Sequence, residues 1–301
     1  MERIRVVVQI NIIDTFYDYQ LCFEDNLDLP VEQMIGLWEQ GYISKYPELE
    51  RKCKEEYTQM GYDWRTIAEE RVFNRTRQDF DKMIEAHGNI LQTIGTLESS
   101  LEANVPLDSR VTVVLYCGLG NGAGWVDTYD NERAVLLGIE KMAELNWHTR
   151  EKIAPLLAHE LCHVIHFELR GEDKLPHNVQ ENHYTKGIWN LYEEGFAQFF
   201  QYQLLCREVD PRGQEWFETC RANEGQLKKL YLAALSEEKK GTKDFFGDWF
   251  QVLGISDAGY YLGAEFISTL HKHYEVEEIA KLAFQDIERL ALDFLTKWKL
   301  N

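Results

Sequence analysis

His159-Glu160-Leu161-Cys162-His163 lies inside an apolar stretch that runs from residue 156 to residue 169. The length of this stretch and the spacing of its apolar residues are typical of a helix. On a helix, residues four positions apart lie on the same face. The imidazoles of His159 and His163 can therefore converge on one cation.

The order of residue types in this pentapeptide suits a site that holds zinc and activates water. Zinc accepts neutral histidine nitrogens, and catalytic zinc sites leave one of four positions open to water. A glutamate beside the first histidine then lies next to that water and can serve as a general base. We predict that His159 and His163 are metal ligands and that Glu160 is catalytic. The alternative is a helix that carries two histidines by coincidence.

A third ligand is offered by a second predicted helix, which contains Leu191-Tyr-Glu-Glu-Gly-Phe-Ala-Gln198. Successive helical residues point about 100° apart, so Glu193 and Glu194 cannot both face one ion. A histidine six residues after His163 would provide a different third ligand, but Leu169 stands at that position. The second helix is therefore the better source of a third ligand.

The Glu-Gly-Phe-Ala segment after HExxH resembles the gluzincin metallopeptidases, whose aminopeptidase-N branch carries Asn-Glu-Gly-Phe-Ala at this point. The resemblance implies that Glu194 is the third zinc ligand and that Glu193 takes the place of the asparagine. Downstream, the segment 257–263 is similar to the Tyr-x-x-Gly segment of the same family, in which the tyrosine stabilises the oxyanion. The resemblance gives that role to Tyr260, with Tyr261 as the competing residue.

A glycine-rich segment, 118–125, precedes the apolar run 134–139. In gluzincins, an edge strand before the HExxH helix binds extended substrate through its backbone, and glycines permit close approach. The resemblance therefore implies that Gly122, Ala123 and Gly124 bind substrate. A phosphate-binding loop is the alternative, but the segment lacks the Lys-Ser/Thr of a P-loop and does not lead directly into a helix.

Two positions depart from the family pattern. Aminopeptidase-N enzymes place a glutamate in the edge strand, whereas residues 122–125 contain no acid and Asp127 is only a distant substitute. Thermolysin-type enzymes place an aspartate four residues after the ligand glutamate, where this chain has Gln198, which supplies no charge. These departures favour an alternative function, that of a non-catalytic or degenerate zinc-containing protein that binds peptides or serves as a scaffold.

The resemblance implies an α+β fold, in which a thermolysin-like domain combines a small mixed sheet with a mostly helical C-terminal part. We assign residues 1–105 to a strand and a mainly helical region of unknown role, and residues 106–301 to the gluzincin-like catalytic domain, with the boundary at Val105-Pro-Leu-Asp108. The predicted strands are 3–13, 110–117 and 134–140. A helical region is predicted at 64–102, which we expect to break near Gly88 and Gly95. The later predicted helices are 155–170, with Pro155 in the first turn and Gly171 as the stop, 187–207, 215–235, 259–273, and 276–299 in one or two pieces.

Charge and composition exclude several classes of partner. The chain of 301 residues carries 32 basic and 51 acidic residues, a net charge of −19, which argues against nucleic acid and anionic membranes. The longest apolar runs are too short for a transmembrane helix. The six cysteines show no CxxC pairing, which favours reduced thiols and a cytoplasmic location. We expect one Zn²⁺ per chain and a peptide or small protein as substrate.

Overall fold

The computed structural model describes residues 9–104, 110–171, 175–176, 179–238 and 240–297. Within these residues the fold is α+β, as predicted, with a four-stranded sheet and many helices. The chain divides into two compact units, Met1–Leu157 and Ala158–Asn301. The domain boundary predicted at residues 105–108 lies outside the described residues.

The strands are β1 (Gln9–Asp14), β2 (Arg110–Tyr116), β3 (Gly124–Tyr129) and β4 (Glu132–Gly138). The α-helices are α1 (Phe16–Phe23), α2 (Val31–Leu37), α3 (Pro47–Gln59), α4 (Trp64–Ile67), α5 (Thr76–Asn104), α6 (Ile139–Glu144), α7 (Arg150–Arg170), α8 (His183–Leu205), α9 (Gln214–Ala222), α10 (Glu224–Ala234), α11 (Ala258–Leu270), α12 (Val276–Ala280) and α13 (Phe284–Thr296). Shorter π- and 3₁₀-helical segments cover Trp38–Tyr42, Ile43–Lys45, Ala68–Phe73 and Lys243–Phe245.

The sheet has the strand order β1-β2-β4-β3, in which β1, β2 and β4 are parallel and β3 pairs with β4 in the antiparallel direction. The apolar run of β2 suits its position between two other strands, where Val113, Val114 and Leu115 are all fully buried. The strands predicted at 110–117 and 134–140 are confirmed, except that β4 ends at Gly138 and α6 follows directly. Residues 3–8 of the first predicted strand lie outside the described residues.

The long helix α5 continues through Gly88 and Gly95, so the predicted breaks there are wrong. One side of this helix carries a stripe of buried apolar residues that includes Met83, Ile90 and Ile94. A glycine inside a helix costs about 1 kcal/mol relative to alanine, whereas each large apolar side chain that becomes buried contributes about 2 kcal/mol. Burial of the stripe therefore outweighs the low helix propensity of the two glycines.

Helix α7 carries the HExxH segment and begins at Arg150, five residues before the predicted start. The backbone N–H of Ile153 donates to the carbonyl of Thr149 at 2.9 Å, so a first turn forms ahead of Pro155. Pro155 lies inside the helix and not in its first turn. The predicted end is confirmed, because Gly171 has a φ of +83° and its N–H donates to the carbonyl of Phe167.

Most of the second unit is helical, and the bounds of its helices differ in places from those predicted. Helix α8 begins at His183, four residues before the predicted start, because Asn182 and Thr185 form a capping box. The helix predicted at 215–235 is two helices, α9 and α10, separated at Asn223. The region predicted at 276–299 in one or two pieces contains two helices, α12 and α13, which agrees with the prediction.

Helices α8 and α11 approach each other backbone to backbone where two glycines meet. A Cβ atom built on Gly195 would lie 2.4 Å from the carbonyl oxygen of Gly263. A Cβ atom built on Gly263 would lie 2.7 Å from the carbonyl oxygen of Leu191. No side chain fits at either position, so both helices need glycine at this crossing.

None of the helices in the described part of the chain is both long enough and apolar enough to cross a membrane. All six cysteines are free thiols, as predicted, and four of them are buried.

The close contact between α8 and α11 predicts that Gly263→Ala lowers the free energy of unfolding by about 3 kcal/mol. The added methyl group overlaps backbone atoms that cannot rotate away. Chemical denaturation monitored by circular dichroism measures this loss. Gly225→Ala is the matched control, since a Cβ atom at Gly225 meets nothing within 4 Å. That control should change stability by less than about 1 kcal/mol. Equal stability of the two variants would contradict the role assigned to the crossing.

Candidate metal centre

Three side chains of the second unit bring their ligand atoms together. Nε2 of His159 lies 3.1 Å from Nε2 of His163 and 3.2 Å from Oε2 of Glu194. Nε2 of His163 lies 3.3 Å from the same carboxylate oxygen. In the described part of the chain, no other group of three or more histidine, cysteine or acidic side chains brings its ligand atoms within 4.8 Å of one another. Glu194, and not Glu193, completes the triangle.

The triangle has the dimensions that a tetrahedral zinc site requires. Zinc binds histidine nitrogen and carboxylate oxygen at about 2.0–2.2 Å, so neighbouring ligands of a tetrahedral ion lie about 3.3 Å apart. The observed separations of 3.1, 3.2 and 3.3 Å agree with that value. Two imidazoles and one carboxylate are also a donor set used by catalytic zinc sites. The residues present therefore fit zinc in both donor type and spacing.

The electrostatics of the three ligands show a site that favours positive charge. Burial lowers the pKa of His163, but the neighbouring charge of Glu194 and the hydrogen bond to it outweigh burial and raise the pKa to about 9. Burial lowers the pKa of His159. Burial opposes ionisation of Glu194, yet the two histidines hold its pKa well below the ordinary value. The cluster thus retains a proton near neutral pH, which a divalent cation would displace.

Glu160 is a buried carboxylate beside this cluster, with a residue exposure of 5 %. Burial raises its pKa to about 7, and the negative charge of Glu194 adds to that increase while His163 opposes it. A group with a pKa close to neutral can both accept and release a proton at physiological pH. Glu160 therefore has the protonation behaviour that a general base needs.

Tyr260 lies beside the ligand triangle, whereas Tyr261 packs against Phe217 and Glu224. The ring centroid of Tyr260 is 5.6 Å from that of His159. Tyr261 is 1 % exposed, packs edge-on against Phe217 and donates its hydroxyl hydrogen to Glu224 at 3.1 Å. Of the two tyrosines, Tyr260 is the one adjacent to the candidate metal ligands.

Gln198 takes part in a buried polar network that also contains residues that the sequence analysis did not single out. Its Nε2 donates to Oδ2 of Asp210 at 2.9 Å, and the same oxygen accepts from Arg212 at 2.8 Å. Asp210 thus supplies a carboxylate that Gln198 itself lacks. In the sequence, Asp210-Pro-Arg-Gly213 is a turn-forming segment between helices, and such segments are typical of exposed loops. The local sequence therefore did not predict that the side chains of Asp210 and Arg212 are buried.

His166 lies on α7 but belongs to the core and not to the ligand triangle. It is 1 % exposed, stacks on Phe196 with centroids 4.4 Å apart, and its Nε2 lies 3.0 Å from the hydroxyl of Tyr192. Burial holds the pKa of His166 well below its usual range, so the ring is neutral. Its role is packing.

The glycine segment lies in the first unit, whereas the ligands, Glu160 and Tyr260 lie in the second. Gly124 begins β3, the outermost strand of the sheet on that side, so the predicted edge strand is present. The carbonyl of Ala123 accepts a hydrogen bond from the N–H of Gly138 at 3.1 Å. Gly122 lies immediately before Ala123 in the chain. Substrate binding by Gly122, Ala123 and Gly124 stays a prediction.

The buried residue Glu140 binds the backbone near the start of the glycine-rich segment 118–125. Oε1 of Glu140 accepts a hydrogen bond from the N–H of Gly120 at 3.0 Å, while its Oε2 is buried with no hydrogen-bond partner among the described residues. Burial raises the pKa of Glu140 to about 7, although backbone N–H groups favour the charged form.

Comparisons with known proteins identify no relative. The chain matches no protein-family model, and neither the curated proteins nor the solved structures contain a significant match.

The ligand triangle predicts that the protein binds one equivalent of zinc and that Glu194→Gln reduces this binding at least about 10-fold, because an amide is a poor zinc ligand. Equilibrium dialysis followed by elemental analysis measures both values. Glu193→Gln is the matched control, since it removes the same charge one helical position away and should retain one equivalent. Equal zinc content in the two variants would rule out Glu194 as the third ligand.

The raised pKa of Glu140 predicts a pH-dependent loss of stability. A carboxyl group whose pKa is higher in the folded chain stabilises the fold fully below its unfolded pKa of 4.5, and this stabilisation is lost as the pH rises through about 7. We compare the free energy of unfolding of Glu140→Gln with that of the native chain at the same pH. The difference, variant minus native, should rise by about 2 kcal/mol between pH 5.5 and pH 8. Denaturant titrations at both pH values provide the measurement, and a difference that does not change with pH would contradict it.

Proposed function

We propose that this chain is a zinc-dependent peptidase that hydrolyses peptide bonds with metal-activated water. The observation that carries the proposal is the triangle of His159, His163 and Glu194, whose ligand atoms lie 3.1–3.3 Å apart. Structural zinc sites are normally closed by four protein ligands, whereas three ligands leave a position for water. A buried carboxylate beside the triangle, Glu160, has a use in catalysis but none in a purely structural site.

The order of the parts along the chain also supports the proposal. The edge strand β3 comes first, then the HExxH helix α7, then α8 with Glu194, and finally α11 with Tyr260. Gluzincin metallopeptidases, which the motifs resemble, have these parts in the same order. A thermolysin-like arrangement of the catalytic domain and membership of the gluzincin clan are part of the proposal.

In the proposed reaction, zinc when bound supplies a Lewis acid that polarises the scissile carbonyl and lowers the pKa of a water molecule to about 7. Glu160 accepts a proton from the attacking water and passes it to the leaving amine. A cation beside this carboxyl would favour its charged form, which is the form that accepts a proton. Tyr260 donates the hydrogen of its phenol hydroxyl to the oxyanion that develops on the former carbonyl.

Peptides and small proteins are the proposed substrates. An extended peptide would add to the outer side of β3 through backbone hydrogen bonds, with Gly122 to Gly124 allowing close approach. The net charge of −19 disfavours polyanions as substrates.

The mechanism predicts that Glu160→Gln binds zinc normally but lowers peptide turnover at least about 1,000-fold, because glutamine cannot accept the proton from water. Cleavage of a mixed peptide library, followed by mass spectrometry, provides the assay, and elemental analysis gives the zinc content. Glu168→Gln is the matched control, because Glu168 is an exposed residue on the same helix. It should leave both quantities unchanged.

Two outcomes would contradict the proposal. Turnover that Glu160→Gln leaves intact would remove the assignment of the base. Zinc binding with no cleavage of any library peptide by the native chain would instead favour a zinc-containing protein that binds peptides without cutting them.

A further inference from the structure

Arg212 is a buried arginine held by two carboxylates in the second unit. Its Nη1 donates to Oδ2 of Asp210 at 2.8 Å, and its Nε donates to Oδ2 of Asp257 at 3.0 Å. The side chain of Arg212 is only 13 % exposed, and those of the two aspartates are 2 % and 9 % exposed. A buried arginine with two charged partners has little freedom to move.

The same guanidinium group lies between two aromatic rings. Its central carbon is 4.4 Å from the ring centroid of Tyr260 and 4.7 Å from that of Trp216. Both distances are within the range in which a cation interacts favourably with a ring face. Trp216 is itself fixed, because its Nε1 donates to the carbonyl of Ser256 at 2.8 Å.

Each aspartate connects Arg212 to a helix that carries a residue of the candidate site. Asp210 accepts from Gln198, which lies on α8 one turn after Glu194. Asp257 is the residue immediately before α11 and lies three positions before Tyr260. Its Oδ1 accepts from the N–H of Gly247 at 2.7 Å. Arg212 therefore joins the helix of the third ligand to the helix of the tyrosine.

The ring of Tyr260 contacts groups in addition to the guanidinium. The centroid of the Phe246 ring lies 5.5 Å away with an interplanar angle of 72°, and that of His159 lies 5.6 Å away. A guanidinium packed against the ring opposes rotation of the side chain about its Cα–Cβ bond, and that rotation would move the hydroxyl relative to the ligand triangle. Since two aspartates already bind Arg212, it is a poor candidate for a ligand of the substrate carboxylate.

We propose that Arg212 is the positioning residue that holds Tyr260 in the orientation required of an oxyanion donor. The inference rests on the proposed peptidase function for its catalytic consequence, but the positioning itself can be measured in the metal-free protein. Arg212 acts through Tyr260 and touches neither substrate nor zinc.

Positioning can be tested directly by ¹⁹F NMR of metal-free protein labelled with 3-fluorotyrosine. The resonance of Tyr260 is assigned by its absence in Tyr260→Phe. Arg212→Gln should shift and broaden this resonance, because the charge over the ring face is lost and the ring gains freedom. Arg212→Lys, which keeps the charge but loses the planar stack, should give an intermediate shift.

Arg221→Gln is the matched control. Arg221 also stacks on an aromatic ring of the same unit, with its central carbon 4.7 Å from the centroid of Phe217, but that ring is not Tyr260. The control should leave the Tyr260 resonance unchanged. An unshifted Tyr260 resonance in a folded Arg212→Gln protein overturns the proposal. If Arg212→Gln does not fold, Arg212→Lys provides the same comparison, and no shift in that variant also overturns it.

The catalytic consequence is tested by a double-mutant cycle with zinc-loaded protein. Tyr260→Phe should lower kcat about 100-fold, and Arg212→Gln should lower it about 10-fold or more with KM within about 2-fold. In the Tyr260→Phe background, Arg212→Gln should produce no further loss, because its effect passes through the hydroxyl. Losses that multiply in full would show that Arg212 acts independently of Tyr260 and overturn the proposal.

The two proposals fail in distinguishable ways. If the Tyr260 resonance shifts as expected but the native zinc-loaded chain cleaves no peptide, the peptidase function fails while the positioning of Tyr260 is supported. If peptides are cleaved and Tyr260→Phe retains full kcat, the peptidase function is supported and the oxyanion role that Arg212 is proposed to serve is overturned.

Discussion

The close crossing of α8 and α11 at Gly195 and Gly263 is the constraint on which the candidate site depends. A Cβ atom on either glycine would overlap backbone of the opposite helix. Gly195 directly follows Glu194, and Gly263 lies almost one turn after Tyr260. The contact therefore fixes a ligand side chain and a tyrosine relative to each other. The glycines of the Glu-Gly and Tyr-x-x-Gly patterns thus have a packing function.

Charge balance is the second constraint, and it divides the buried acids of the second unit into two sets. Asp210 and Asp257 are neutralised in part by Arg212, so that network already contains its cation. Glu194 and Glu160 instead lie beside two imidazoles, which carry a full positive charge only when protonated. Because buried carboxylates are costly without a compensating charge, this set favours either a retained proton or a metal cation.

The sequence by itself determined those features that depend on local geometry. A spacing of four residues places two histidines on one face of a helix whatever surrounds it, so the convergence of His159 and His163 could be predicted. The apolar runs similarly predicted β2 and β4, and Gly171 predicted the end of α7. For the candidate site, the motif predicted His159, Glu160 and His163, and the family resemblance implied Glu194 and Tyr260.

Only the tertiary structure decided which neighbour in each pair faces the site. Glu193 and Glu194, like Tyr260 and Tyr261, point about 100° apart on their helices, and the rotation of a helix about its axis is set by the elements packed against it. The continuity of α5 through two glycines likewise depends on distant residues that cover its apolar side. Arg212 and Asp210 could not be recognised from a turn-forming loop, because their burial results from the packing of Trp216, Tyr260 and α11 around them. Long-range packing is not encoded in any short segment, so these features needed the folded chain.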